Sequence, residues 1–287
     1  MRLENEQQSS NVEDRRGKSG GMGSMIGRLG GMGRLMAILP FIRPLLRSKT
    51  GWILLAVGAF IYFSTQGGGV ARDSAKEDKQ AVFISKVLKT TEDVWKKELP
   101  KYGYTYKEPK LVLFRGSTRS GCGYASAQSG PFYCPADQKI YLDLSFFDEL
   151  AHQFGAKGDF AQAYVVAHEV GHHIQNLLGI LPKVQRLQER ALRTGNQKAV
   201  NKLQIPVELQ ADCLAGVWAH HIRQKLDPGD IEEGINAAAQ IGDDMIQKRS
   251  QGYVIPDSFT HGTSKQRVSW FVRGYKSGDL RSCNTFK

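Results

Sequence analysis

Two histidines four residues apart, with a glutamate beside the first, are the residues of this sequence best suited to chemistry. They are His168, Glu169 and His172 in the stretch AHEVGHH. On a helix, residues four apart share one face, so both imidazoles can reach one metal ion. Two histidines at about 2.0–2.1 Å are typical ligands of Zn²⁺. Glu169 would then take a proton from a zinc-activated water, which predicts a metal-dependent hydrolase.

An alternative is an ordinary helix whose polar side chains satisfy one another. The surrounding stretch DFAQAYVVAHEVGHHIQNLLG is largely apolar, with Asp159 as a predicted N-cap and Gly179 as a predicted stop. Two imidazoles and a carboxylate buried there without partners would cost several kcal/mol. The apolar context therefore favours a metal site.

A catalytic zinc site needs a third protein ligand and one open position. A third histidine at position 178 would extend the motif, but that residue is Leu178. A second helix is predicted in PVELQADCLAGVWAHHIRQK, beginning at Pro206, with Glu208 and Asp212 four apart on one face. We predict Glu208 as the third ligand and Asp212 as the hydrogen-bond acceptor that fixes the tautomer of His168. Asp212 is the next candidate ligand, and a solvated acidic face is the alternative to both.

The elements that must position these residues form an α+β domain, mostly helical with a small sheet. Helical spacing is predicted for 76–98, strands for 110–115 and 139–146, and helices from Asp159 nearly to the end. The segment between the strands is predicted to be an irregular hairpin. The catalytic pattern therefore lies in the helical second half of the domain.

Four cysteines are present: Cys122, Cys134, Cys213 and Cys283. They contain no C-x-x-C pair, which disfavours a zinc ribbon or a thioredoxin-like motif. An even number outside the cytosol predicts two disulfides, in any of three pairings. Cys122 and Cys134 are close together in a turn-rich segment, so we expect that bond, which leaves Cys213 with Cys283.

The 22 residues between Lys49 and Arg72 carry no charge, and WILLAVGAFIYF within them is apolar without a break. This stretch predicts one transmembrane helix at 50–70, with a buried core helix as the alternative. The basic residues before it would place the N-terminus in the cytoplasm. Eight glycines among residues 17–33 indicate disorder, so we predict a disordered basic cytoplasmic tail at 1–49. The domain at 71–287 would lie on the periplasmic or extracellular side of a bacterial inner membrane.

The net charge of the chain is +11, and the first 50 residues hold nine Lys/Arg against four Asp/Glu, a balance of +5. A basic end of this kind is typical of a tail beside a membrane. No RNA-binding signature, helix-turn-helix pattern or Cys/His zinc finger is present, so no nucleic-acid partner is expected. A membrane-tethered nucleic-acid binder would rest on charge alone and would show salt-sensitive binding.

Several motifs together resemble a known family. HEVGH followed by ELQAD looks like a gluzincin, and SFTHGTSKQR is similar to the Thr-His…Arg segment of integral-membrane gluzincins. SNVEDRRG, GCGYASAQSGPFYCPAD, HEVGHH and ELQADCLAGVW extend the likeness over nearly the whole chain. Together they resemble the bacterial putative neutral zinc metallopeptidase family.

The resemblance implies a zincin-like domain, a Zn²⁺ cofactor and a protein or peptide substrate. It also implies that His261 stabilises the oxyanion of the tetrahedral intermediate and that Arg267 supports the loop or the substrate. A capping or surface histidine is the alternative for His261, and Gly262 stands where the membrane gluzincins carry proline.

The sequence thus predicts a membrane-anchored zinc metalloendopeptidase. The alternative is a catalytically silent zinc-binding scaffold or assembly protein of the membrane. Glu169 favours the enzyme, because a structural zinc site would not need a base.

Overall fold

The structure, a computed structural model, describes residues 1–17 and 74–286. The helices are α1 (Ser74–Glu98), α2 (Ser145–His152), α3 (Asp159–Leu177), α4 (Ile180–Arg193), α5 (Gln197–His221), α6 (Asp230–Gln240), α7 (Asp243–Gln251) and α8 (Ser264–Ser277). The strands are β1 (Val12–Asp14), β2 (Lys110–Phe114), β3 (Ser117–Ser120), β4 (Gly123–Ser126), β5 (Phe132–Cys134) and β6 (Lys139–Asp143). The predicted α+β class, mostly helical with a small sheet, is confirmed.

Residues 1–17 and 80–286 lie in one compact unit. Of the second unit, residues 19–79, the structure describes only the first residues of α1. None of the helices in the described ranges is long and apolar enough to cross a membrane. The predicted transmembrane helix at 50–70 lies outside the described residues.

The four-stranded sheet has the order β1-β2-β6-β5. The first three strands are parallel, and β5 runs antiparallel to β6. In β2 the four residues after Lys110 are all buried, which agrees with a strand covered on both faces. The antiparallel hairpin β3–β4 stands apart from this sheet. β5 is therefore the last strand of the described sheet, with one edge paired to β6.

Two glycines allow α5 and α8 to cross in backbone contact. A Cβ atom at Gly216 would lie 2.1 Å from the carbonyl oxygen of Phe271, and one at Gly274 would lie 1.9 Å from that of Cys213. Both distances are far below van der Waals contact, so no larger residue fits without moving a helix. This close crossing brings the start of α8 beside the acidic pair of α5.

The helix α5 begins at Gln197, earlier than the predicted start at Pro206. Asn196 caps the observed start, because its side-chain oxygen accepts the Ala199 N–H at 3.0 Å. Pro206 lies inside the helix, and its carbonyl accepts the Thr285 hydroxyl at 2.6 Å. Proline suits the first turn of a helix, which is why the start was predicted at Pro206, but here it lies inside α5.

The first seventeen residues differ from the predicted disordered tail. They contain β1, which pairs with β2, and the Leu3 side chain is buried in the main core. Order here comes from partners elsewhere in the chain, which the polar composition of the segment does not reveal. Residues 18–49 of the predicted tail lie outside the described residues.

Both expected disulfides are present. Cys122 and Cys134 are joined with a Cα–Cα distance of 5.8 Å, and Cys213 and Cys283 with 5.5 Å. The first bond links the hairpin loop after β3 to β5. The second links α5 to the segment that follows α8.

Candidate metal centre

Small residues bring α3 and α5 together at the chemical motif. Gly171 lies between His168 and His172, and a Cβ atom there would lie 3.0 Å from both Cα and the carbonyl oxygen of Ala211. Ala211 in turn precedes Asp212 on α5. The two helices therefore touch where their polar pairs are, so the pairs face each other.

The side chains of His168, His172 and Glu208 meet at one place. Each offers a ligand atom, and these atoms all lie within 4.8 Å of one another. Glu208 Oε2 is 3.2 Å from Nε2 of His168 and 3.5 Å from Nε2 of His172. Two imidazole nitrogens and one carboxylate are a ligand set used by catalytic zinc, which leaves the fourth position open. This donor set fits a zinc ion.

The charges at this place favour a cation. Burial by itself would lower the pKa of His168, but the negative charge of Asp212 and hydrogen bonds to Asp212 and Glu208 raise it to about 9. Burial would raise the pKa of Glu208, but the charge of His172 and hydrogen bonds to both histidines hold it well below its ordinary value. The carboxylates thus stabilise positive charge between the helices, and a divalent ion supplies such charge.

Asp212 orients the first histidine, as predicted from the spacing. Its Oδ1 lies 2.8 Å from Nδ1 of His168, so Nδ1–H is the donor, and Nε2 is the nitrogen that faces Glu208. Asp212 is fully buried and also accepts the Tyr164 hydroxyl at 2.5 Å. Burial would raise the pKa of Asp212, but the charges of Arg267 and His168 lower it to about 2.

Arg267 borders the same cavity, but its hydrogen bonds go to other parts of the protein. It donates from Nε and Nη2 to the two oxygens of Asp212, each at 2.9 Å, and from Nη1 to the Ile241 carbonyl at 3.0 Å. The residue is only 2 % exposed. These hydrogen bonds hold Asp212 and the residue that follows α6.

The second histidine has an amide partner. Nδ1 of His172 lies 2.9 Å from Oε1 of Gln175, whose Nε2 donates to the Val207 carbonyl at 2.7 Å. Gln204 donates to Oε1 of Glu208 at 2.7 Å. Each predicted ligand is therefore held by a hydrogen bond at the atom that does not face the metal.

Glu169 differs from the ligands because one of its oxygens lacks a partner. Among the described residues, Oε2 is buried without a hydrogen bond. Burial raises the pKa of Glu169, against the charges of His172 and His168 and a backbone hydrogen bond from Tyr133. The residue lines a cavity of about 700 Å³ together with the three candidate ligands. A buried carboxylate oxygen without a partner, beside a candidate metal centre, is chemically suited to accept a proton.

His261 reaches the same cavity from the loop between α7 and α8. Oδ2 of Asp243 accepts the backbone N–H groups of Thr260, His261 and Gly262 at 2.7, 2.6 and 3.0 Å. Oδ1 of Asp243 lies 3.1 Å from Nδ1 of His261, which leaves Nε2 for a ligand in the cavity. Burial would lower the pKa of His261, but the hydrogen bond with Asp243 and the charge of Glu208 raise it.

Three residues of this site were not predicted from the sequence: Tyr164, Gln175 and Asp243. Tyr164 and Gln175 lie four residues before His168 and three after His172, so the helical spacing that revealed the ligands could also have found them. Asp243 lies far from the motif in sequence and carried no signal.

His173, the residue after His172, has its partners away from the ligand group. Its Nδ1 is 3.0 Å from the Tyr133 hydroxyl, and its Nε2 is 2.6 Å from the Lys107 carbonyl. Burial lowers its pKa to about 4, which keeps the ring neutral. It ties α3 to β5.

Comparison with known proteins agrees with this geometry. The profile of a family described as putative neutral zinc metallopeptidase matches residues 1–286. The chain belongs to this family. The family description names zinc as the metal and peptidase as the activity, and the His/His/Glu group supplies suitable ligands.

Similar proteins are found in Escherichia coli and in Mycobacterium tuberculosis. Uncharacterized protein YpfJ of Escherichia coli (strain K12) is 50 % identical over 301 aligned residues, which cover 100 % of this chain and 99 % of that protein. Uncharacterized protein Rv2575 of Mycobacterium tuberculosis (strain H37Rv) is 45 % identical over 206 residues, 67 % of this chain and 66 % of the relative. No solved structure matches the chain, so the zincin-like fold stays a prediction.

Proposed function

We propose that the protein is a zinc-dependent endopeptidase. His168, His172 and Glu208 hold the ion, and Glu169 is the general base. The observation that carries this proposal is the buried, unpartnered Oε2 of Glu169 beside three converging ligand atoms. A purely structural zinc site has four protein ligands and no use for such a carboxylate.

Bound zinc would act as a Lewis acid on the scissile carbonyl and lower the pKa of water in the site. Glu169 would accept a proton at Oε2 and deliver it to the leaving amine. Burial raises its pKa, and a raised pKa suits a group that must accept and then donate a proton near neutral pH. His261 would donate from Nε2 to the oxygen on which negative charge develops, with Asp243 holding the ring.

The edge of the sheet suits a peptide substrate. β5 pairs only with β6 among the described residues, and Phe132 and Tyr133 line the cavity. The Tyr133 hydroxyl is held by His173 and by Asn176, at 3.0 and 3.1 Å, which fixes β5 against α3. An extended peptide could add to this edge by main-chain hydrogen bonds and so pass beside Glu169.

We place this activity outside the cytosol. Both disulfides of the domain require an oxidising compartment, which in bacteria is the periplasm or the cell exterior. The substrate would then be a protein or peptide of that compartment.

The test compares three forms of the full-length protein loaded with zinc: the native chain, Glu169→Gln and Glu189→Gln. Glu189 is an exposed residue of α4 and serves as the matched control. Cleavage of a mixture of denatured proteins, followed by mass spectrometry, should occur with the native chain and with Glu189→Gln. Glu169→Gln should keep one zinc per chain and lose cleavage.

Equal cleavage by all three forms would remove Glu169 from the mechanism. Stoichiometric zinc with no cleavage by any form would instead support the zinc-binding scaffold. The two readouts therefore separate metal binding from hydrolysis.

A further inference from the structure

Residues 1–17 are built into the sheet that supports the metal site. β1 pairs in parallel with β2, with Val12 opposite Leu111 and Asp14 opposite Leu113. The ladder continues beyond the strand, because the Arg15 N–H donates to the Leu113 carbonyl at 2.7 Å and the Leu111 N–H donates to the Asn11 carbonyl at 2.9 Å. The segment thus satisfies backbone groups of β2 that would otherwise form an open edge.

A second set of contacts fixes the segment to α1. Ser9 and Asn11 donate to the same oxygen of Glu92, at 2.5 and 2.8 Å, and Glu92 is only 3 % exposed. The Ser9 N–H donates to the Ser85 carbonyl at 3.2 Å, and the Ser85 hydroxyl donates back to the Ser9 carbonyl at 3.3 Å. Without the segment, Glu92 would lose both of these donors.

A third set of contacts lies near the start of the chain. Leu3 is 4 % exposed and belongs to the main core. The Arg2 N–H donates to the Lys225 carbonyl at 2.8 Å, and Lys86 donates to the carbonyls of Leu3 and Glu4 at 2.8 and 3.0 Å. The segment therefore contacts β2, α1 and the turn that follows α5. None of these contacts can form if the segment lies elsewhere.

We propose that residues 1–17 and the metal-site domain lie on the same side of any membrane that the chain meets. A parallel strand pair has a spacing of about 4.8 Å, whereas the hydrocarbon core of a bilayer is about 30 Å thick. β1 and β2 therefore cannot pair across a membrane. Residues 1–17 and 80–286 belong to one compact unit, so the chain between them must cross a bilayer an even number of times, zero included. The single crossing that the charge pattern predicts, with a cytoplasmic N-terminus and an external domain, is incompatible with this docking.

Cysteine labelling of the full-length protein in cells tests the proposal. Ser10→Cys and Ser250→Cys each add a thiol at an exposed position, one in the N-terminal segment and one at the end of α7. Cells with a permeabilised outer membrane are treated with a membrane-impermeant maleimide, before or after lysis. The parent chain, which has no added cysteine, gives the background.

The two variants should behave alike: both label before lysis, or both label only after it. Labelling of Ser250→Cys with protection of Ser10→Cys would show the single crossing and overturn the proposal. The reverse pattern would overturn it equally.

A cross-link tests the docking itself. The backbones of Ser9 and Ser85 are in direct hydrogen-bond contact, which is near enough for a disulfide between cysteines at these positions. The double variant Ser9→Cys/Ser85→Cys is treated with a membrane-permeant oxidant, once in intact membranes and once after purification in detergent. The two single variants are the controls.

An intramolecular bond should form in both preparations. Its formation in detergent alone would mean that the membrane keeps the two residues apart, which overturns the proposal. Failure in both preparations would remove the docking on which the proposal rests. Neither result depends on zinc or on hydrolysis, so the proposed function is tested separately.

Discussion

The cavity at the candidate metal centre has two sides, and the side chains on each side are held in place by different kinds of contact. On one side, the helix pair α3/α5 carries the ligand group, and Asp212 behind it is fully buried. On the other side, the loop 260–262 carries His261, whose side chain is 46 % exposed. The helix side has a separate partner for each ligand, whereas one carboxylate, Asp243, accepts three successive backbone N–H groups of the loop. Metal binding should therefore depend on core packing, and turnover should depend in addition on one surface loop.

The largest effect is expected from removing a ligand on the helix side. His172→Ala leaves one imidazole and one carboxylate, which cannot hold zinc at a stoichiometric level. Metal analysis of the purified protein should find about one zinc per native chain and almost none in the variant. His152→Ala, at the exposed end of α2, is the control and should keep its zinc. A fully loaded His172→Ala protein would show that the metal lies elsewhere.

Loss of the histidine on the loop side should have a large effect on turnover only. In the proposed mechanism, His261→Ala removes a donor to the developing oxyanion, and such losses typically lower kcat about 10²–10³-fold. Zinc content should stay at the native level, because His261 is not one of the three converging ligands. Steady-state kinetics and metal analysis on the same sample provide the check. A loss of zinc in this variant would show that the loop side also contributes to metal binding, which would contradict the separation of the two sides.

A smaller effect is expected from the residue that orients His168. Asp212→Asn keeps the size of the side chain but removes the charge that faces Arg267 and the imidazole. Changes of this kind typically lower metal affinity about 10–100-fold. Competition with a chelator of known affinity would measure it. Unchanged affinity would mean that packing by itself orients His168.

The smallest effect is expected from an ion pair outside both sides of the cavity. A hydrogen bond from Lys139 lowers the pKa of Glu13 on β1 to about 2, although burial acts in the opposite direction. Because the folded pKa is below the ordinary value of 4.5, this contribution to stability is present above pH 4.5 and is lost as the pH falls toward 2. Glu13 is 37 % exposed, so the contribution should be under about 1 kcal/mol.

Denaturant unfolding of the native chain and of Glu13→Gln would measure this difference. The native chain should be the more stable at pH 7, and the gap should narrow as the pH is lowered from 5 to 3. A gap that widens toward acid pH would contradict the lowered pKa.

Much of the helix side was accessible from the sequence. The spacing of His168, Glu169 and His172 predicted one face of a helix, and the same spacing in Glu208 and Asp212 predicted its partner. Helical periodicity is local, since it depends on residues within a turn or two. Both disulfides were likewise inferred from spacing and elimination.

The loop side and the N-terminus were less accessible. Asp243 accepts hydrogen bonds from the backbone N–H groups of residues 17 to 19 positions later. Because almost every residue has a backbone N–H group, no residue type in the sequence marks this contact. The segment 1–17 was predicted to be disordered together with the glycine-rich stretch 17–33 that follows it. Its order depends on Glu92 and on the edge of β2, and both lie more than seventy residues away.

The sequence by itself determined the types of the candidate ligands, their faces on two helices and the family. Each of these follows from residue identity and from the short-range geometry of the backbone. Only the tertiary structure decided that the two helices meet at Gly171 and Ala211, that Asp243 holds the His261 loop, and that the first strand belongs to the domain. The reason is that contacts between distant parts of a chain depend on shape and on hydrogen-bond partners in three dimensions, which residue spacing does not encode.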